Sequence, residues 1–246
     1  MKPNIEALNA NGRLRTVRCV HVTEKKQTGR EVWYDASTAC RIRALPFDVL
    51  MRDMRTLKLI EHISLDGVIQ NSADDDDFPY SDWTAPYRTP AGRDAMLAAY
   101  GESFDLVLGR RTYDIWSDFW PKAPTSPMAD GLNAAKKYVA THRPESLEWG
   151  PFEGLGPDIV GDMRRIKSQD GPDLILAGSS TLTSTLFEYG LADEVLLVVY
   201  PVLLGTGKRV FAEGSPARAF ELVSTKAMPS GVIFSSYKVA GPLKAV

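Results

Sequence analysis

The pattern of apolar and polar residues divides this chain near residue 54. Before that point, apolar residues are scattered among Asn, Thr, Gln and Arg with little sustained period. After it, short unbroken apolar runs alternate with stretches of helical spacing. The runs predict strands over 57–63, 104–108, 137–141, 174–177 and 194–200. The intervening stretches predict helices over 91–102, 111–116, 128–135, 159–167 and 180–189, with Gly190 placed for a left-handed cap. Strands such as VLLVVY, apolar at every position, suit a sheet covered on both faces. Their alternation with helices predicts an α/β fold with a mostly parallel sheet. The tail, 220–226 and 232–239 around Pro229-Ser230-Gly231, reads as an antiparallel hairpin closing one edge. No repeat or linker interrupts 54–241, which therefore reads as one domain, with 1–53 as an extension outside it.

Charge sharpens that division. The whole chain of 246 residues carries a net charge of −2. Residues 1–55 hold 11 Lys+Arg against 6 Asp+Glu, and the remainder is correspondingly acidic. The basic segment is an extension of the native protein or the product of an overcalled start codon. A basic arm for nucleic acid is the functional alternative. The body of the chain gives no push toward nucleic acid or membrane. No apolar run approaches the roughly 18 residues of a membrane span, and the amino terminus lacks the apolar core of a secretory signal. Cys19 and Cys40 are too few and too far apart for a disulfide framework, and His21, His62 and His142 lack ligand spacing. A cytoplasmic location and no metal site are expected. Asp74 to Asp77 lack the glycine and distal glutamate of a calcium loop and read as solvated.

Two junctions carry candidate chemistry. In LGRRTYDIW (108–116) an apolar strand leaves through Gly109, and Arg110, Arg111 and Thr112 stand where a helix begins. A helix amino end is already partly positive, so two arginines there imply an anionic partner. The bland reading is a pair of solvated arginines, with Tyr113, Trp116 and Trp120 as a core stripe at helical spacing. In LILAGSSTLTSTL (174–186) a second strand ends in Gly178, and Ser179, Ser180 and Thr181 either cap the next helix or donate to an anion. Two such junctions on one sheet would form the cleft in which open α/β sheets bind nucleotides. The dinucleotide fingerprint G-x-G-x-x-G is absent. LLGTGKR departs from the P-loop, because Val202 stands at its first glycine and Arg209 at its Ser/Thr.

The segments ISLDGVI (63–69), LGRRTYDIW, KKYVATH (136–142), LILAGSSTLTSTL and LADEVLLVVYPVLLGTGKRVF (191–211) resemble the dihydrofolate reductase-like superfamily. The branch they resemble contains the C-terminal reductase domain of bifunctional riboflavin-biosynthesis enzymes and stand-alone reductases of unassigned substrate. That resemblance, over 54–240, implies a three-layer α-β-α sandwich, NADPH dependence and a homodimer. It places Gly109, Arg110, Arg111 and Thr112 at the cofactor phosphates, one arginine meeting the 2′-phosphate. It places Thr141 and His142 along the adenosine side. Gly178, Ser179, Ser180, Thr181 and Leu182 would take the pyrophosphate. The chain departs from the family in having Ala177-Gly178 where two glycines are usual.

The same resemblance makes SLDG a flexible loop over the nicotinamide and offers Asp66 as a catalytic acid, although Asp-Gly equally well just makes a turn. Folate reductases proper carry a carboxylate on the first helix after a Trp-containing loop, which would correspond to Asp94 after Trp83. The residues between do not match their pattern. Tyr113, Trp116, Tyr200, Pro201 and Leu204 are candidates to line a flat pocket for a heterocycle. The expected activity is hydride transfer from NADPH to a C=N or C=O carbon of a small pteridine- or pyrimidine-like substrate. The alternative is a nucleotide-binding or regulatory protein that keeps the cleft without turnover.

Overall fold

The computed structural model describes residues 5–8, 14–17, 54–71 and 78–243. Asp74 to Asp77 lie outside the described residues. The chain divides into two units, 1–44 and 45–246. In the first, β1 (Ile5–Leu8) pairs antiparallel with β2 (Leu14–Val17), Ile5 opposite Val17. The sequence pattern predicts no strand there, because four-residue strands fall below the length at which a period of two can be read.

The second unit is built on an eight-stranded sheet in the order β6-β5-β4-β7-β3-β8-β10-β9. Chain order runs β3 (Leu57–Ile63), α1 (Pro90–Tyr100), β4 (Phe104–Gly109), α2 (Arg110–Phe119), α3 (Pro127–Ala134), β5 (Lys137–Ala140) and β6 (Phe152–Leu155). Then come α4 (Ile159–Lys167), β7 (Asp173–Ala177), α5 (Ser180–Glu188), β8 (Glu194–Val199), β9 (Arg218–Ala227) and β10 (Ile233–Pro242). The strands from β6 to β8 are parallel, and β10 runs antiparallel to both β8 and β9. This is the expected α/β fold with an antiparallel C-terminal hairpin.

Both faces of the sheet are covered, which is why its inner strands are largely apolar. On one face Leu57, Leu59, Val107, Leu174 and Leu176 pack with Met163 and Ile166 of α4 and Leu182 and Leu186 of α5. On the other, Ile60, Leu106, Leu108 and Ile175 pack with Tyr113 and Leu132, and Ala95, Met96, Ala99 and Tyr100 of α1 lie against them. The helices start where the chain supplies acceptors. Thr89 caps α1, Ser126 caps α3 and Asp158 caps α4, and α1 and α3 also carry proline in the first turn.

Within the eight-stranded sheet, the strand missed in the sequence is β6. Its four residues, FEGL, include a glycine and a glutamate, and it lies at the sheet edge with only Leu155 fully buried. An edge strand needs little apolar surface, so it leaves little trace in the pattern. Arg55 fixes the other end of the sheet. It is 5% exposed and its guanidinium bonds the Tyr138 hydroxyl at 3.2 Å and pairs with Asp105.

Candidate functional site

Strands β4 and β7 are neighbours, with Leu108 opposite Ala177. Their next residues, Gly109 and Gly178, therefore emerge side by side at the carboxyl edge, and each begins a helical segment. Each glycine is also pressed against the other junction. A β-carbon on Gly109 would lie 2.6 Å from Oγ of Ser179, and one on Gly178 would lie 2.4 Å from Oγ1 of Thr112. Gly178 (φ +66°) and Ser179 (φ +63°) are both left-handed. That conformation is ordinary for glycine and costly for serine. The two motifs thus form one interlocked structure, which the spacing alone did not reveal.

The helix starts differ. Ser179 caps α5 through a 3.4 Å bond from Leu182 N. Gly109 offers α2 no side-chain acceptor, and neither helix has an acidic residue in its first turn. An anion at this edge therefore meets amides and no competing carboxylate in either first turn. Hydroxyls stand nearby on Thr112, Ser179, Ser180 and Thr181.

The two arginines have separate placements. Arg110 bridges α2 to the segment after β5. Its Nε donates to Asp114 at 2.8 Å, and its Nη1 donates to Ser146 Oγ at 2.6 Å, Arg143 O at 3.1 Å and Thr141 Oγ1 at 3.4 Å. Thr141 is thereby drawn to the first junction, while His142 beside it is exposed. Arg111 presents an exposed side chain at the start of α2.

Several expected substrate or catalytic residues are placed otherwise. Tyr113 is 2% exposed, and its hydroxyl is saturated by Glu148 N at 2.9 Å, Trp149 N at 2.6 Å and Trp149 O at 3.3 Å. It is a core residue and offers a ligand no surface. Trp116 stands edge-on to Trp120 and packs on the same core. Both follow the core-stripe reading. Asp94 is exposed on α1.

Asp66 is also corrected as an acid. It accepts from Ser64 Oγ at 2.7 Å, Leu204 N at 3.2 Å and Gly205 N at 2.9 Å, with Arg209 Nη2 at 3.8 Å. The Ser64 hydroxyl first, and then the Leu204 and Gly205 amides, hold its carboxyl below the usual range. An ionised acceptor with its lone pairs occupied has no proton to give. The SLDG turn is likewise no free flap. Leu65 N donates to Val202 O, Ile69 N to Lys208 O and Val210 N to Gly67 O, so LLGTGKR is the strap that holds it.

Tyr200, 6% exposed, lies at the carboxyl edge just after β8, together with residues the sequence reading passed over. His62 is the penultimate residue of β3, and its Nδ1 lies 2.7 Å from Tyr200 Oη. Trp83 and Tyr87 stand edge-on to the Tyr200 ring at 5.3 and 5.8 Å, and Trp83 is anchored by Nε1 to Gln70 O. Burial, then the Arg88 charge, lowers His62 to about 4, so the ring is neutral near pH 7. Burial pushes the Tyr200 phenol up to about 12, against the pull of Arg88. Pro201 is exposed and Leu204 half-buried beside this group.

Next to His62, Glu61 is 6% exposed and its Oε1 has no hydrogen-bond partner. Burial raises its carboxyl to about 8. The available signal was LKLIEHI itself, where Lys58, Glu61 and His62 interrupt a strand otherwise destined for the interior.

Among the described residues no helix is long and apolar enough to cross a membrane, and no cluster of three metal-ligating side chains occurs. Protein YyaP of Bacillus subtilis (strain 168) is 27% identical over 132 residues, 52% of this chain and 70% of its own. A pyrimidine reductase-like protein of Corynebacterium diphtheriae superposes with a TM-score of 0.53 at 16% identity, covering 80% of this chain and 95% of that one. Dihydrofolate reductase of Enterococcus faecalis, complexed with NADP(H), gives 0.50 at 15% identity, covering 75% of this chain and 96% of its own. These structures share the fold that the two interlocked junctions sit on. The RibD C-terminal domain pattern runs through residues 55–234, from Arg55 under the sheet to β10, and the chain belongs to that family.

Proposed function

We propose that this protein is an NADPH-dependent reductase acting on a C=N or C=O carbon of a small pteridine- or pyrimidine-like heterocycle. The observation that carries the reading is the pairing of Gly109 and Gly178 at the ends of adjacent parallel strands. Two helix starts there face one edge with hydroxyls and no acidic residue in either first turn. That donor set fits a dinucleotide, whose phosphates need several amides and a cation within one short span. Gly109, Thr112, Gly178, Ser179, Ser180, Thr181 and Leu182 would hold the phosphates. One of the two arginines at the start of α2, Arg111 with its exposed side chain in our reading, would meet the 2′-phosphate. Thr141 and His142 would flank the adenosine.

A bound reduced nicotinamide supplies the hydride. The protein's part is to orient the ring beyond the ends of β7 and β3, to exclude water and to provide a proton. The likeness in fold to a pyrimidine reductase-like protein and to a dihydrofolate reductase complexed with NADP(H) supports both the cofactor and the class of substrate.

The test is equilibrium titration with NADPH and NADH, followed by fluorescence, on the wild type and Arg111→Ala. A paired charged contact is worth about 1.5–3 kcal/mol, or roughly one to two decades of affinity. NADPH should bind tighter by that amount, and Arg111→Ala should close most of the gap. Equal affinities in the wild type would sink the reading.

A further inference from the structure

The reductase reading requires a proton as well as a hydride, and neither aspartate expected from the sequence can give one. Asp66 is an ionised clamp for the strap, and Asp94 faces solvent on α1. We propose that Tyr200 is the proton donor, and that His62 positions it by donating from Nδ1 to the phenol oxygen. This inference rests on the reductase reading and names a catalytic residue within it.

The geometry points there for three reasons. First, the pair lies at the correct edge. His62 and Tyr200 close the carboxyl ends of β3 and β8, and β3 is the immediate neighbour of β7, which ends in Gly178. With strands about 4.8 Å apart, Tyr200 lies only about 10 Å across the edge from that junction. A dinucleotide held by its phosphates at β4 and β7 would reach β3 with its ring, leaving the Tyr200 side for the substrate.

Second, the phenol is held among rings. Trp83 and Tyr87 stand T-shaped to Tyr200, and His62 lies tilted at 5.6 Å between ring centroids. Third, the bond between the two side chains is short and specific, 2.7 Å from Nδ1 to Oη. Arg88, itself paired with Asp82, is the charged group that acts on both.

Hydride from the reduced nicotinamide forms a C–H bond at the electrophilic carbon, and the C=N or C=O π pair moves to the heteroatom. The heteroatom takes the Tyr200 proton, the nicotinamide is oxidised, and the phenolate left behind is held by Nδ1–H of His62 and by the Arg88 charge until water reprotonates it. The Nδ1–H tautomer of His62 is essential, because an imidazole whose Nδ1 is bare would instead accept the Tyr200 hydrogen bond.

Nitrogen-15 NMR of the imidazole rings tests this directly. The chain has three histidines, and His62→Asn identifies the signal. Near pH 7 the His62 ring should be neutral with its proton on Nδ1. A proton on Nε2 overturns the proposal, because Tyr200 would then donate to His62 and not to substrate. This measurement decides the proposal even where no probe compound is reduced.

Turnover supplies the second arm, with NADPH and a panel of dihydropteridines and aminopyrimidinones as probes. Tyr200→Phe should lose on the order of 100-fold in rate, the lower range for a general acid, while its NADPH affinity and circular dichroism stay those of the wild type. His62→Asn, which keeps an N–H near the Nδ1 position, should retain more rate than His62→Ala. Wild-type rates in Tyr200→Phe overturn the proposal. Failure of the wild type to bind NADPH would instead count against the reductase reading and is seen in the binding titration alone.

Discussion

Gly178 and Thr112 occupy one shared space, so that a β-carbon on the first would lie 2.4 Å from Oγ1 of the second. The left-handed φ of +66° at Gly178 adds a conformational demand that no ligand imposes. A substitution at Gly178 therefore cannot distinguish a phosphate cradle from a helix turn, because the fold needs the glycine in either case. The two effects can be separated from each other. Gly178→Ala should lose roughly 2–4 kcal/mol of unfolding free energy, combining the left-handed cost of about 1–3 kcal/mol with the clash. Thr112→Ala in the same chain should recover the clash and leave the backbone cost, a non-additive result. Additive losses in denaturant titrations would show that the junctions are not coupled.

A chain starting at Met54 should keep its melting temperature and its NADPH affinity, because the family match begins at Arg55. Arg55 itself should not be dispensable. Its guanidinium is buried between Asp105 and Tyr138, and removing one partner of a buried pair costs about 3–5 kcal/mol. Arg55→Ala in the shortened chain should lower the melting point by several degrees or more. A shortened chain that melts well below the full one would show that residues 1–53 support the domain.

How far the sequence could be read follows from what each feature depends on. The inner strands were legible because burial on both faces gives them runs of consecutive apolar residues, as in LLVV of β8. The helices were legible from spacing and caps, and α4 was predicted at the observed bounds, 159–167. The edge strand β6 was not, since FEGL needs no apolar face. At the site, the glycine junctions were legible one at a time. Their contact was not, because it depends on β7 being inserted between β4 and β3. For the same reason the His62–Tyr200 bond, which joins residues 138 apart in sequence, carries no local signal. Tyr113 was ambiguous by nature, as a large aromatic at helical spacing serves a core and a pocket equally well.

Asp66 should behave as a structural carboxylate. Its folded pKa is depressed below the ordinary value of 3.8. Its contribution is therefore present above that value and lost as pH falls through the folded one. Asp66→Asn should weaken the tie between the SLDG turn and the 202–210 strap by about 1–3 kcal/mol, as donors lose their acceptor. It should also flatten the acid limb of the stability profile below about pH 4. Amide exchange at Leu204 and Gly205 should rise in the variant. Unchanged exchange there, with a large loss of turnover, would restore Asp66 to the chemistry.

Glu61 should give the opposite pH dependence. Its carboxyl is raised from 4.5 to about 8, by burial first and against the favourable Gly178 amide. In the unfolded chain it ionises near 4.5, whereas in the folded protein it holds its proton until about 8. Between those values the folded state binds the extra proton, so stability falls as pH rises and levels off above about 8. Each pKa unit is worth a little over 1 kcal/mol, which makes the total fall a few kcal/mol. His62, lowered to about 4, acts in the other sense over its own range, since the unfolded chain binds that proton more readily. The difference between wild type and Glu61→Gln cancels this histidine contribution. Glu61→Gln should therefore match the wild type near pH 4.5 and exceed it increasingly up to pH 8, as read from urea midpoints at a series of pH values. Parallel profiles for the two proteins would mean that Glu61 is hydrated in solution and that its neighbour Gly178 does not stand over a dry carboxyl.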